Sequence, residues 1–228
     1  MSKYGFQKIS RDIKQALPTP NAPTSQVEVD LPTSALSKFF LDYAGKKLPS
    51  EVLNHSLRVY LYSKAIIKDQ FPQWDLDLEV VFVTSLLHDI GTTKENMAAT
   101  KMSFEFYGGL LSRDLVLEQT KGDQDFAEAV SEAIIRHQDL GESGFITTLG
   151  LVIQLSTILD NVGLNSELIH PDTLDAVNKK YSREGWLGCF AHAIDNENKL
   201  KPWGHTSALG VDQFRDDVLA NKLKYEKL

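Results

Sequence analysis

A chain of 228 residues is long enough for one large domain or two small ones, and with 42% of them hydrophobic it can bury a sizeable core. Its formal charge of −7 argues against a general nucleic-acid or anionic-membrane surface, because both need clustered lysine and arginine. Small substrates of any charge stay open. Cys189 is the only cysteine, which excludes an internal disulfide and fits a reducing compartment. No run approaches the roughly 18 apolar residues of a membrane span. The opening Met1-Ser2-Lys3-Tyr4-Gly5 has no signal-peptide character. The expected location is cytoplasmic, with the nucleus open as a second compartment.

Residues 1–32 read as irregular. Pro18, Pro20, Pro23 and Pro32 punctuate them, and each holds its predecessor in extended geometry. The expectation is an extended N-terminal arm lying over the body or reaching a partner, with a partly disordered tail as the alternative. From there the periodicity is helical almost throughout. Ser34 opens a short helix carrying Leu36, Phe39, Phe40 and Tyr43. Ser50 is a candidate N-cap for a helix with Val52, Leu53, Leu57, Tyr60, Leu61, Ala65 and Ile66 at core spacing. Asp75 or Asp77 starts the helix that ends at His88-Asp89. Ser103 starts the next, and Gly108-Gly109 falls inside it. Glycine there costs about 1 kcal/mol each against alanine, so close packing or a bend is expected. Asp123 caps a segment ending at His137. Thr147 caps the run Leu149 to Leu159, apolar nearly all round and therefore central. Shorter helices are expected at 171–181, 184–199 and 212–224. The run 80–87 is apolar enough for a strand, but its acidic start and helical neighbours favour a helix. There is no internal repeat. The fold expected is all-α: one helical domain over 33–228, with the arm over 1–32.

His88-Asp89 closes the apolar run Val80 to Leu87, placing two metal-competent side chains where a hydrophobic element meets a polar turn. Buried groups of this kind are costly unless paired, hydrogen-bonded or ligated. His55 and Asp160 likewise interrupt apolar helices. A lone histidine on such a face is more often a satisfied core residue, and a terminal aspartate more often a cap. Jointly, three helices each deliver a ligand type and one delivers two. Two histidines and two aspartates suit a borderline divalent ion such as zinc, iron or manganese.

A single histidine, a His-Asp pair about thirty residues later and a distant helical aspartate together resemble the HD superfamily of metal-dependent hydrolases. That resemblance implies an HD-type all-α fold with a metal-binding core over about 50–161, and His55, His88, Asp89 and Asp160 as metal ligands. Many HD phosphohydrolases carry a lysine or an acid three or four residues past the pair. Here Thr92 and Thr93 occupy both places, and Lys94, Glu95, Lys101 and Arg113 lie further on. A phosphate pocket wants bidentate arginine or several donors, so the departure points to a small, less charged substrate. Six segments in order sharpen this: 54–59, 86–92, 101–109, 132–139, 159–163 and 201–206. Together, over roughly residues 34–210, they resemble the fungal cyanamide hydratases. The implied activity is addition of water to cyanamide to give urea, detoxifying a small neutral nitrile, with one zinc ion per chain and a homodimer. A nucleic-acid or membrane partner is not expected. An HD-type phosphohydrolase acting on a small nucleotide, a related nitrile or isonitrile hydratase, and a non-enzymatic metal-stabilised module remain the alternatives.

His137 is the candidate catalytic acid/base. It sits at a helix C-terminus, where the dipole favours imidazolium, and imidazole exchanges protons near neutral pH. Simple capping of carbonyls, or ligation of a second metal, are its competing roles. Asn54, Thr92, Tyr107, Thr157, Trp203 and His205 are the candidate substrate-binding residues. His170 and His192 read as structural.

Overall fold

A computed structural model describes residues 2–26, 28–221, 223 and 225–226. The helices are α1 (Ile13–Ala16), α2 (Ala35–Lys47), α3 (Ser50–Gln70), α4 (Leu78–Leu87), α5 (Lys94–Ala99), α6 (Phe104–Gln119), α7 (Gln124–Ile135), α8 (Thr148–Val162), α9 (Pro171–Lys180), α10 (Trp186–Leu200) and α11 (Gln213–Leu219). The only strands among the described residues are β1 (Lys8–Ser10) and β2 (Phe145–Thr147). The fold is mostly all-α, as expected. No helix among the described residues is long and apolar enough to cross a membrane.

The middle of the molecule is α3, α4 and α8, packed on one another, with α7 also against α4 and paired to α6. Helix α4 is buried at every position from Val80 to Leu87, which is why its sequence shows no amphipathic stripe: a helix apolar all round has no solvent face. Helix α8 is nearly as enclosed. Several expected caps are in place. Ser34, Asp77, Asp123 and Thr147 accept from the backbone N–H groups of Ser37, Glu79, Phe126 and Gly150. Ser50 is instead the first helical residue; Pro49, fixed at φ −55°, stands at the cap position without a side-chain bond. Gly109 sits where an added Cβ would lie 2.5 Å from Ile135 Cγ1, so it allows the close approach of α6 to α7, whereas Gly108 faces the turn at Gly91, whose N would lie 3.2 Å from a Cβ there.

The N-terminal residues are bound across the body. β1 pairs antiparallel with β2, Ile9 opposite Ile146, forming a short ribbon that the sequence did not announce. Gly5, at φ +83°, lets the chain pass so close to α8 that a Cβ there would sit 2.6 Å from Leu149 Cβ. Further on, Gln26 N donates to Thr173 Oγ1, and Gln70 Nε2 donates to the carbonyl of Asn21. At the other end, α10 begins after Gly185 rather than at residue 184, and α11 stops at Leu219 rather than running to 224. Residues 222 and 224 lie outside the described residues.

Candidate metal centre

Helix α3 presents His55 inward, fully buried. Helix α4 ends at Leu87, and the chain passes through His88 and Asp89 into a single 3-10 turn, Ile90–Thr92. That turn is locked from within: Thr92 N and Oγ1 both donate to the Asp89 carbonyl, at 2.9 and 2.7 Å. Gly91 is required there. A Cβ at that position would fall 2.1 Å from the Phe104 carbonyl oxygen, so only glycine lets α6 start against the turn.

His55, His88 and Asp89 come together as a buried trio. His55 Nε2 lies 3.0 Å from His88 Nε2, and Asp89 Oδ2 lies 3.6 Å from the first and 3.3 Å from the second. A tetrahedral zinc with bonds of about 2.0–2.2 Å has ligand–ligand edges of roughly 3.3–3.6 Å, so the three atoms outline one face of such a site. The opposite ring nitrogens are already committed. His55 Nδ1 is 2.6 Å from Asp160 Oδ2, and His88 Nδ1 is 2.7 Å from the Ser85 carbonyl. A carboxylate and a carbonyl can only accept, so both Nδ1 atoms donate and both Nε2 atoms turn lone pairs towards each other. Only a proton or a cation between them makes that arrangement favourable. Asp89 Oδ1 is buried without a hydrogen-bond partner beside them.

The electrostatics agree with this polarity. Burial pushes His55 down to about 4, keeping it neutral. Burial also works against charge on His88, yet the adjoining Asp89 carboxylate raises it. Burial opposes ionisation of Asp89 in turn, but His88 and His55 hold its carboxyl well below the usual range.

Asp160 is not beside the trio. It stands behind His55, on the Nδ1 side of the ring, and its carboxylate faces Arg58 and Arg183 as well. The expected set of four therefore resolves into three converging groups and one aspartate that backs a histidine. The arginines hold Asp160 well below the ordinary carboxylate range despite its burial. Arg58, Arg183 and Trp186, whose ring stacks on His55 at 3.9 Å and 11°, were missed at the sequence level. Arg58 carried the same signal as His55, a charged residue on an apolar helix three positions on. Arg183 and Trp186 carried none.

His137 does join the trio. It follows α7, donates from Nδ1 to the Ile134 carbonyl at 2.7 Å, and brings Nε2 to 3.7 Å from Asp89 Oδ1. Its ring meets His88 and Phe104 edge-on. Capping and a site-facing nitrogen are thus both satisfied. Burial and the nearby His88 lower its pKa.

The remaining candidates are more scattered. Thr92 fixes the Asp89 turn and lines a cleft of about 630 Å³ together with Val52, Met97, Cys189, His192 and Asn196. Val52 lies one turn before His55 and Cys189 one turn after Trp186, so the cleft shares helices with the buried trio, although His55, His88 and Asp89 do not line it. Thr157 is buried and gives its hydroxyl to the Gln154 carbonyl in its own helix. Asn54 and Tyr107 are half-buried on α3 and α6. Trp203 is 63% exposed and donates from Nε1 to the Lys101 carbonyl, which makes it a surface fastening rather than a wall around the ligands. His205 pairs with the fully buried Glu105 at 2.7 Å and stacks on Phe106. His170 caps α9, as expected of a structural residue. His192 is instead exposed, on the cleft.

Residues 52–173 match the HD domain family model. Over 225 residues, 99% of this chain and 100% of each relative, the sequence is 57% identical to two proteins of Saccharomyces cerevisiae, Cyanamide hydratase DDI2 and Cyanamide hydratase DDI3. The chain belongs to the HD-domain family and, within it, to the family of these two yeast proteins. It is an enzyme family.

Proposed function

We propose that this protein is a zinc-dependent cyanamide hydratase, adding water to the nitrile carbon of cyanamide to give urea. The observation that carries the proposal is the pair of Nε2 lone pairs facing each other 3.0 Å apart beside the Asp89 carboxylate, in a chain 57% identical to two yeast cyanamide hydratases. His55, His88 and Asp89 would hold the ion. Three protein ligands with an open position are the pattern of catalytic rather than structural zinc. When bound, such an ion lowers the pKa of the water it carries from about 15.7 towards about 7 and polarises the substrate.

The protein's own groups do the rest. Ser85 and Asp160 hold the two imidazoles in the tautomer that leaves Nε2 free. His137 Nε2, beside Asp89 Oδ1, takes a proton from the attacking water as the carbon–oxygen bond forms and returns it to the nitrile nitrogen. Its Nδ1 bond to Ile134 keeps that nitrogen aimed inward. The immediate adduct is an isourea, and transfer of its O–H proton to the imine nitrogen gives urea. One water is consumed and no net proton is released, so a single buried imidazole suffices. The cleft lined by Thr92 and Cys189 serves as the way in for a compact neutral ligand. The homodimer, the cytoplasmic location and the detoxifying role belong to the same proposal.

The test is a product assay. Purified protein is incubated with cyanamide, and urea is quantified in three arms: as isolated, after chelator treatment, and after zinc is restored. The expected result is urea in the first and third arms only. Urea formation that persists unchanged after complete metal removal would contradict the zinc mechanism.

A further inference from the structure

Arg58 is fully buried on α3, three residues from His55, and Arg183 is buried in the segment between α9 and α10. Burying two guanidinium groups is expensive unless they are paired and fully hydrogen-bonded. Both are paired with the same carboxylate, that of Asp160. Arg58 Nε donates to Asp160 Oδ1 at 2.9 Å and Nη2 to Oδ2 at 2.8 Å, a two-pronged grip, and Arg183 Nη1 also donates to Oδ1. His55 Nδ1 takes the remaining place on Oδ2. A carboxylate has about four acceptor sites, so these four donors leave none for a metal. The main-chain oxygen of Asp160 is engaged too, by Arg183 Nη2 at 2.7 Å and Asn221 Nδ2 at 3.0 Å.

The free end of Arg58 completes a frame. Its Nη1 donates to the carbonyls of Tyr181 and Ser182, at 3.2 and 2.7 Å, pinning the stretch that delivers Arg183 and, three residues later, Trp186. Trp186 then lies flat on the His55 ring. His55 is thereby fixed along its edge by Asp160 and across its face by Trp186, and Arg58 touches the supports of both.

We propose that Arg58 and Arg183 are positioning residues of the metal centre: acting through Asp160, they hold His55 with its proton on Nδ1 and its Nε2 lone pair aimed at the ion, and Asp160 itself stays outside the metal's ligand set. The proposal rests on the metal reading of the trio given above. It concerns how tightly the metal is held, which is separable from what the metal does.

The experiment measures divalent-ion affinity by chelator competition and the cobalt(II) absorption spectrum at saturation, in wild type, Arg58→Met, Arg183→Met, Arg183→Lys and Asp160→Asn. Outer partners of metal-bound histidines typically contribute about 10–100-fold in affinity. The expected result is a loss of that size in both methionine variants and in Asp160→Asn, with partial recovery in Arg183→Lys. Cobalt band positions and intensities should match wild type in all of them, because no ligand has been removed. Wild-type affinity in folded methionine variants would overturn the proposal, as would a cobalt spectrum in Asp160→Asn that reports a missing ligand. Should the methionine variants fail to fold, Arg183→Lys and Asp160→Asn decide by the same two readouts. A wild-type protein that binds no divalent ion would remove the metal reading and this proposal together, whereas arginine-insensitive binding removes this one alone.

Discussion

Replacing Gly91 by alanine puts a single methyl group between the His88-Asp89 turn and α6. The added Cβ would lie 2.1 Å from the Phe104 carbonyl oxygen and 2.8 Å from its carbon, both of them backbone atoms. Optimal heavy-atom separations are about 3.5 Å, so the turn and the start of α6 must part by about 1 Å or more. Over-packing of a well-filled interior costs about 1–3 kcal/mol, and with no flexible side chain to swing aside the upper end applies. For a chain of this size each kcal/mol moves Tm by about 2–4 °C. The expected fall is therefore about 6–12 °C, measured by calorimetry or thermal circular dichroism on chelator-treated protein. Activity should suffer more than stability, because Phe104 meets the ring of His137, and pushing α6 outward withdraws that nitrogen from Asp89. Gly188→Ala is the control. It is exposed within α10, a Cβ there meets nothing, and the change should hold or raise Tm. A Gly91→Ala protein melting within about 2 °C of wild type would refute the packing argument.

His137→Ala should keep the bound metal, by elemental analysis, while kcat falls by about 10²–10⁴-fold, the usual contribution of a positioned acid/base; retained turnover would remove His137 from the mechanism. Metal binding should stabilise the fold by about 2.7 kcal/mol at a hundredfold excess over Kd, so a thermal scan with zinc or with chelator should show a clear difference in Tm. His205 has its pKa raised, chiefly by its bond to buried Glu105. A raised histidine stabilises fully below its ordinary value of 6.5, and the contribution is lost as pH rises through the folded value. The Tm gap between wild type and His205→Gln should accordingly be larger below about pH 6 than above about pH 9; a gap that grows with pH would reverse the assignment.

The sequence exposed those features in which local chemistry contradicts local environment. His55, His88, Asp89 and Asp160 stood out because polar groups interrupted runs otherwise apolar, and caps at Ser34, Asp77, Asp123 and Thr147 stood out because their residue types favour that position. What stayed hidden depends on distant partners. Asp160 was visible as a polar residue needing a cation, and its carboxylate meets the guanidinium groups of Arg58, 102 residues earlier, and Arg183, 23 residues later. Nothing local to Asp160 announces those partners. The β1–β2 ribbon joins two three-residue segments, too short to show a period of two. The short helix α5, Lys94–Ala99, carries one buried residue, Met97, and so no periodic pattern to detect.

The most direct test of the whole account is anomalous diffraction at the zinc edge from crystals grown with the ion. It should place a single ion about 2.0–2.2 Å from His55 Nε2, His88 Nε2 and the Asp89 carboxylate, with Asp160 still on His55 Nδ1. An ion bound elsewhere, or one ligated by Asp160 in place of the trio's geometry, would contradict it.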